Sequence, residues 1–334
     1  MNDTAASVSG TTERDPKRGR KIVLIIVLSL LLAEIILVRF HPDTVAKLLR
    51  RNPSYPETIH QAFKPDPLFA PFPESVPGDW ISTHPEPGQT FDQFVSGNWN
   101  RHGENGKDKL HIIPMGALRA GWKATLEPVR EFVEAFFNMP LVIDRPLTDP
   151  ERIFTSRINV NTNFPQLLTT DILKFLMENL SSDSYCTIAV TMLDLYPDDS
   201  WNFVFGQASL VGRVGVFSLF RYDPSFYGVN SDNAEKIIFR RTLQVLFHEM
   251  VHMFGVYHCV HFNCLMNGSN SMEETDSQPL FLCPVCLRKL HHLAKFNPET
   301  RYEKLKNLYE KSGLTEEAQW LEKRIAVLKK KQGL

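Results

Sequence analysis

The sequence has no excess of charge of either sign. Its 334 residues include 37 Lys and Arg against 38 Asp and Glu, which gives a formal net charge of −1. A chain this close to neutral has no overall field to attract nucleic acid or to steer acidic substrates. We therefore predict no nucleic-acid partner, and the function has to be inferred from local motifs.

Cysteine is also scarce, with five residues in the whole chain. This is sparse for a secreted chain of this length held together by disulfides. Four of the five nevertheless fall close together, as metal ligands do; they are Cys259, Cys264, Cys283 and Cys286. The fifth, Cys186, lies in the apolar stretch "YCTIAVTML" and is expected to be a small buried hydrophobic residue.

The chain has one long apolar run, "IVLIIVLSLLLAEIILV" at residues 22–38. As a helix it would span about 25 Å, which is short for a bilayer, and Glu34 within it would cost about 2–3 kcal/mol. We still predict a membrane anchor at residues 22–39, with a buried or amphipathic helix as the alternative. Basic residues flank the run on both sides, so its orientation stays open.

Composition divides the rest of the chain into four further parts. Residues 1–21 form a polar, basic tail. Nine prolines between Pro53 and Pro87 predict that residues 40–90 are a linker and a strap without regular helix or sheet. Residues 91–296 are expected to form the main folded domain. Helical periodicity on both sides of Gly313 predicts a helical hairpin at 297–334.

Strand and helix patterns take turns through the main domain. Helices are predicted for "TLEPVREFVEAFFN" and "FPQLLTTDILKFLMENL". Strands are predicted for "KLHIIPMG", "PLVID", "CTIAVTMLDLY", "WNFVFGQASL" and "VGRVGVFSLFRY". This alternation favours an α+β fold with a mixed, mostly parallel sheet and covering helices. A long helix that carries several histidines follows the last strand.

The string "HEMVHMFGVYHC", residues 248–259, predicts a zinc site. His248 and His252 are four residues apart, so on a helix both imidazoles can reach one zinc ion. Glu249 lies one position round, close enough to contact a water on the metal. Gly255 permits a sharp turn in the left-handed region, which would return His258 as the third ligand.

Three imidazoles leave one tetrahedral position for water, as in catalytic rather than structural zinc sites. The metal lowers the pKa of that water to about 7, and Glu249 as general base can deliver hydroxide to a carbonyl and hand the proton to the leaving amine. This chemistry is peptide-bond hydrolysis. The alternatives are three histidines without a metal, and a zinc without turnover. Glu249 argues against the second, because a structural site needs no carboxylate beside its first ligand.

Two short cysteine pairs follow directly. Cys259-x4-Cys264 and Cys283-x2-Cys286 lie about twenty residues apart and can close a tetrahedral thiolate cage around a second zinc. Such a site stabilises the fold and leaves no position for substrate. Two disulfides are the alternative.

The combined motif resembles the archaemetzincins, a metzincin-like family of zinc metallopeptidases. It reads His-Glu-x-x-His-x-x-Gly-x-x-His-Cys-x4-Cys-x-Met, followed after sixteen residues by Cys-x-x-Cys. "DLYPDDSWNFVFGQASL" and "LMNGSNSMEETDSQPLFLCPVCLRKL" are similar to the vertebrate members in particular. The resemblance runs from about Asp79 to beyond Leu290.

The resemblance implies a metzincin-like catalytic domain at residues 91–296 and two Zn²⁺ ions, one catalytic and one structural. It implies His248, His252 and His258 as ligands of the first ion, with Glu249 as general base and Met266 forming a methionine turn beneath it. It assigns the second ion to the four clustered cysteines. It further implies narrow, aminopeptidase-like specificity, an extended substrate paired with a strand edge within residues 201–220, and a catalytic domain in the cytosol.

Two classes of function follow from these features. The leading hypothesis is a zinc-dependent metallopeptidase acting on peptide or protein substrates. The alternative is a non-catalytic, zinc-stabilised adaptor that binds a partner through its C-terminal helices. Hydrolysis of a different amide is a third possibility, because attack by zinc-activated water does not itself select a peptide.

Overall fold

The computed structural model of the protein describes residues 55–97, 99, 102–117 and 122–331. These residues belong to one compact unit. The predicted basic tail and membrane anchor, residues 1–21 and 22–39, lie outside the described residues. Within the described ranges, no helix combines the length and apolarity needed to cross a membrane.

Two sheets form the strand framework. In chain order the strands are β1 (Lys109–Met115), β2 (Leu141–Ile143), β3 (Ser156–Ile158), β4 (Pro165–Leu168), β5 (Ser184–Thr191), β6 (Asp194–Tyr196), β7 (Gly206–Ser209) and β8 (Val214–Ser218). The larger sheet has the order β2-β1-β5-β8-β7 and the smaller one the order β3-β4-β6. In the larger sheet every neighbouring pair is parallel except β7 and β8. The predicted mixed, mostly parallel sheet is thus confirmed, and β7 is its antiparallel edge.

Helices surround the sheets. In chain order they are α1 (Glu57–Ala62), α2 (Trp80–Thr83), α3 (Phe91–Ser96), α4 (Trp122–Phe137), α5 (Pro150–Ile153), α6 (Thr169–Glu178), α7 (Ala234–His252), α8 (Met272–Ser277), α9 (Pro284–Ala294), α10 (Pro298–Lys311) and α11 (Thr315–Lys331). Short 3-10 helices occur at Glu104–Gly106 and Pro224–Tyr227. The predicted α+β architecture is confirmed, with α7 carrying the histidine motif.

The central strand β5 is buried at all eight positions, as expected for a strand with both faces covered. Its Ile188 and Val190 belong to a large core cluster that includes residues of α4 and α7. Ala189, which points the opposite way, belongs to a second cluster with residues of α6. Phe136 of α4 stacks on Phe247 of α7 at a centroid distance of 4.1 Å. The histidine helix is therefore anchored within the main core.

Two local predictions are wrong. "FPQLLTTDILKFLMENL" is a helix only from Thr169, because Pro165–Leu168 pair with β3 and β6 and form β4. Pro165 is the first residue of that strand, a position that tolerates the missing donor. The proline-rich stretch also contains regular helix, at α1 and at α2, where the Asp79 side chain accepts a hydrogen bond from the Ser82 amide and caps the helix.

The proline-rich stretch packs against the C-terminal helices. Arg324 of α11 is fully buried, donates to the Asp66 carboxylate and donates to the Ala62 carbonyl at 2.9 Å. Trp320 donates through Nε1 to the Leu68 carbonyl at 3.3 Å. The helical hairpin predicted at the C-terminus is present as α10 and α11. The predicted domain boundaries at 40–90, 91–296 and 297–334 stay predictions.

Candidate metal centres

Helix α7 ends at the histidine motif in a turn that requires glycine. Gly255 adopts a φ of 81°, in the left-handed region that side chains rarely tolerate. A Cβ atom at this position would lie 2.3 Å from the Trp99 ring. The chain therefore reverses sharply after His252 and brings His258 back towards the helix.

The three predicted histidines converge on one point. The Nε2 atoms of His248 and His252 are 3.0 Å apart, and one ring nitrogen from each of the three residues lies within 4.8 Å of the others. Zinc–nitrogen bonds of about 2.0–2.1 Å in a tetrahedral site place ligand nitrogens roughly 3.4 Å apart. The spacing of the three side chains fits a zinc ion.

Each histidine makes a hydrogen bond at its other ring nitrogen. His248 Nδ1 donates to the Leu265 carbonyl at 2.9 Å, and His252 Nδ1 donates to the Val256 carbonyl at 2.7 Å. His258 Nδ1 lies 2.8 Å from Glu86 Oε1. A proton on Nδ1 leaves the Nε2 lone pair free in a neutral imidazole. All three Nε2 atoms are thus available as metal ligands.

Burial favours the neutral form of the two helical histidines. It lowers the pKa of His248 to about 3, and the pKa of His252 well below its ordinary value. Neighbouring histidines lower both pKa values further. These two imidazoles are therefore uncharged at neutral pH, as metal binding requires.

Glu249 lies against the edge strand of the large sheet. Its side chain is buried, and burial raises the pKa of its carboxyl group to about 8. A Cβ atom on Gly206, the first residue of β7, would lie 2.7 Å from Glu249 Oε1. Only glycine leaves room for the carboxylate here, so the position of Glu249 depends on the bare backbone of β7.

A cleft of about 870 Å³ opens above these residues. Its lining includes His248, Glu249 and His252, together with residues of β7. Trp80 and Glu86, from the proline-rich stretch, line the cleft as well. The convergent nitrogens and the buried carboxylate are therefore accessible to a ligand in the cleft.

The four clustered cysteines form a second group. All four are buried, and their Sγ atoms lie within 4.8 Å of one another. The Sγ atoms of Cys259 and Cys283 are 3.7 Å apart. A disulfide needs about 2.05 Å, whereas tetrahedral zinc–sulfur bonds of about 2.3 Å separate sulfurs by roughly 3.8 Å. All five cysteines are free thiols, so the alternative of two disulfides is wrong.

Hydrogen bonds to sulfur favour a thiolate at Cys259, whereas burial raises the pKa of Cys264 and hydrogen bonds to the neighbouring sulfurs raise the pKa of Cys286. The backbone amide of Cys283 donates to Cys264 Sγ at 3.2 Å, and that of Cys286 donates to Cys283 Sγ at 3.5 Å. Hydrogen bonds from the other three thiols lower the pKa of Cys259. A thiolate is the form that binds metal. Cys186 lies apart from the group, buried in β5 as predicted.

The cysteine loop also supports the histidines. Leu265, whose carbonyl accepts the bond from His248, lies between Cys264 and Met266. The Cys259 amide donates to the Met266 carbonyl at 2.7 Å, directly after His258 in the chain. The two centres are therefore joined through the backbone. Met266 is fully buried, and its role in a methionine turn stays a prediction.

Glu86 and Gly206 line the same cleft as the histidines, although no sequence motif points to them. Glu86 lies 172 residues before its partner His258, within a stretch predicted to be a strap. Gly206 is one of several glycines in the 201–222 region. Neither position carries a spacing signal, since both contacts depend on long-range folding.

Comparison with known proteins gives consistent matches. The family model "Peptidase family M54" matches residues 151–292. The chain is 35% identical over 293 residues to archaemetzincin-2 of Rattus norvegicus, covering 79% of this chain and 82% of that protein. For archaemetzincin-2 of Homo sapiens the identity is 34% over 297 residues, covering 80% and 82%. The crystal structure of archaemetzincin from Methanopyrus kandleri matches with a TM-score of 0.46 and 24% identity, over 57% of this chain and 97% of that one.

Replacing Cys259 by alanine tests the connection between the two centres. We expect Cys259→Ala to lose the metal of the cysteine group and to weaken zinc binding at the histidines about 10-fold, because the supports of His248 and His258 loosen. Metal content and a chelator-competition dissociation constant measure both effects. Cys186→Ala, which removes a buried thiol outside the group, should retain both metals. Wild-type zinc affinity at the histidines in a Cys259→Ala protein that lacks the second metal would refute the connection.

Proposed function

Because this chain belongs to the archaemetzincins, peptidase family M54, and is a zinc metallopeptidase, we propose that it hydrolyses peptide bonds in the cleft above His248, His252 and His258. Glu249 is the general base. The observation that carries this proposal is the position of its carboxylate, which lines the same cleft as His248 and His252 and lies against Gly206, the first residue of the edge strand.

The histidine centre binds the catalytic zinc in this proposal, and the cysteine group binds a second, structural zinc. When bound, the catalytic ion supplies Lewis acidity that polarises a carbonyl group and lowers the pKa of water to about 7. Glu249, ionised beside the positive charge of a bound ion despite its burial, accepts the proton of the attacking water and passes it to the leaving amine. The cysteine group holds the loop that positions His248 and His258.

The edge strand β7 is the proposed binding site for the substrate backbone. β7 pairs with β8 on one side and is the last strand of its sheet on the other. Gly206, Gln207 and Ala208 line the cleft. An extended peptide can add to such an edge through main-chain hydrogen bonds. Since Gly206 touches Glu249, this pairing would bring a peptide bond next to the general base.

Narrow, aminopeptidase-like specificity, implied by the resemblance, stays a prediction. The adaptor alternative is not favoured, because the apolar side chains of the C-terminal helices are used inside the protein. Leu305 and Tyr309 of α10, and Leu321 and Leu328 of α11, are buried in the main core. The described part of these helices thus offers few apolar groups to a partner.

Replacing Glu249 by glutamine tests the general base. Glutamine preserves the size of the side chain but cannot accept the proton, so we expect Glu249→Gln to lower kcat by about 10²–10⁴-fold. Both zinc ions should remain bound. Cleavage of a peptide library followed by mass spectrometry, together with metal analysis, measures the two properties. A zinc-loaded Glu249→Gln protein with wild-type turnover would exclude Glu249 as the base.

Replacing Gly206 by alanine tests the packing of the base against β7. The added methyl group would displace the Glu249 carboxylate, and a shift of about 1 Å at a catalytic group can cost about 100-fold in rate. We expect Gly206→Ala to lower kcat on that scale while zinc content is unchanged. Gly215→Ala in the adjacent strand is the matched control, because its new Cβ atom would meet only ordinary contacts of 3.4 Å or more. Equal rates for the two variants would contradict the proposed geometry.

A further inference from the structure

The third histidine is held differently from the other two. His248 and His252 are fixed by the rigid helix α7, whereas His258 lies in a loop without regular structure. The first two donate to backbone carbonyl groups, but His258 contacts a carboxylate. Its Nδ1 atom lies 2.8 Å from Oε1 and 3.0 Å from Oε2 of Glu86.

Glu86 is itself held in position. Trp80 donates through its ring Nε1 to Glu86 Oε1 at 3.1 Å. The backbone amide of Trp80 donates to Glu274 Oε1 at 2.9 Å, which attaches this part of the strap to α8. The Trp80 ring also contacts the His258 ring edge-on, at a centroid distance of 5.1 Å. The carboxylate therefore has a fixed orientation towards His258.

Gln89 holds the backbone of the loop that carries His258. Its side chain donates through Nε2 to the Gly255 carbonyl at 3.1 Å and accepts from the Tyr257 amide at 3.3 Å. Lys289, which is 1% exposed, donates to the Gln89 carbonyl. Gly88 lies so close to Val260 that a Cβ atom there would approach it to 2.4 Å. Residues 86–89 thus contact the loop from Gly255 to Val260 along its length.

We propose that residues Glu86–Gln89 are a clamp that positions the third zinc ligand, with Glu86 as the positioning residue for His258. Glu86 fixes the proton of His258 on Nδ1 and directs Nε2 towards the other two histidines. This inference rests on the proposed role of His258 as a zinc ligand. The strap is then part of the metal centre, although it lies far from the histidine motif in sequence.

The charge of the acceptor explains why His258 is held by a carboxylate and not by a backbone carbonyl group. A charged acceptor makes a stronger hydrogen bond to an imidazole N–H than a carbonyl does. It also raises the basicity of the ligating nitrogen, and loss of such a partner typically weakens metal binding 10–100-fold. The ligand with the least support from regular structure therefore has the strongest hydrogen-bond partner.

The test measures the tautomer of His258 and zinc binding in the full chain labelled with ¹⁵N-histidine. Long-range ¹H–¹⁵N spectra of the zinc-free protein should show wild-type His258 protonated on Nδ1. We expect Glu86→Ala to lose this preference for Nδ1. It should also bind zinc at the histidine centre 10–100-fold more weakly. Titration from a zinc–chelator buffer, followed at the His258 resonances, measures this affinity. Glu86→Gln, whose neutral amide oxygen can accept the same bond more weakly, should keep the tautomer and bind zinc with an affinity between those of Glu86→Ala and the wild type.

Two further variants complete the design. Glu74→Gln makes the same change at an exposed position of the strap and should match the wild type. Glu86→Asp keeps the charge but shortens the side chain, so it should weaken zinc binding about 10-fold. If Glu86→Ala does not fold, this variant tests the clamp in its place. Wild-type tautomer and zinc affinity in Glu86→Ala or Glu86→Asp would overturn the proposal.

These readouts separate the clamp from the peptidase function. If the wild-type protein binds zinc but cleaves no peptide, a loss of zinc affinity in Glu86→Ala still supports the clamp. If Glu249→Gln abolishes cleavage while Glu86→Ala binds zinc like the wild type, the clamp fails and the proposed function stands.

Discussion

Three hydrogen bonds at histidine Nδ1 atoms determine the geometry on which the rest of the site depends. His248 is held by the Leu265 carbonyl, His252 by the Val256 carbonyl and His258 by Glu86. Each bond leaves an Nε2 lone pair directed inwards. The three acceptors come from the cysteine loop, the turn after α7 and the strap. Folding of three separate segments is therefore coupled to one ligand set.

In the proposed function, the cysteine group contributes rigidity rather than chemistry. Four buried thiols with a sulfur separation of 3.7 Å between Cys259 and Cys283 surround a point suited to zinc. The loop they enclose carries the acceptor for His248. In the cleft, Gly206 has no side chain and so leaves room for the Glu249 carboxylate beside it. The three histidines and Glu249 thus depend on neighbours that hold them by packing and hydrogen bonds.

Local spacing made the histidine and cysteine ligands predictable from the sequence. Contacts that depend on long-range packing could not be predicted in this way. The four-residue interval of His248 and His252, the turn at Gly255 and the cysteine pairs each encode geometry within a few residues. Glu86 has no such signal, because its partner is 172 residues away. The helix predicted over Pro165–Leu168 is wrong for the same reason, since the strand conformation of these residues comes from pairing with β3 and β6. The alternation of strands and helices, in contrast, was sufficient to predict the mostly parallel sheet.

X-ray absorption spectroscopy of the zinc-loaded protein tests the central claim, that the chain has two separate zinc centres with different ligand sets. Two ions per chain should give an average of two sulfurs at about 2.3 Å and two nitrogen or oxygen atoms at about 2.0–2.1 Å per zinc, and a Cys259→Ala protein that keeps only the histidine-bound ion should lose the sulfur shell. One zinc per wild-type chain, or sulfur that remains bound to the zinc of Cys259→Ala, would contradict it.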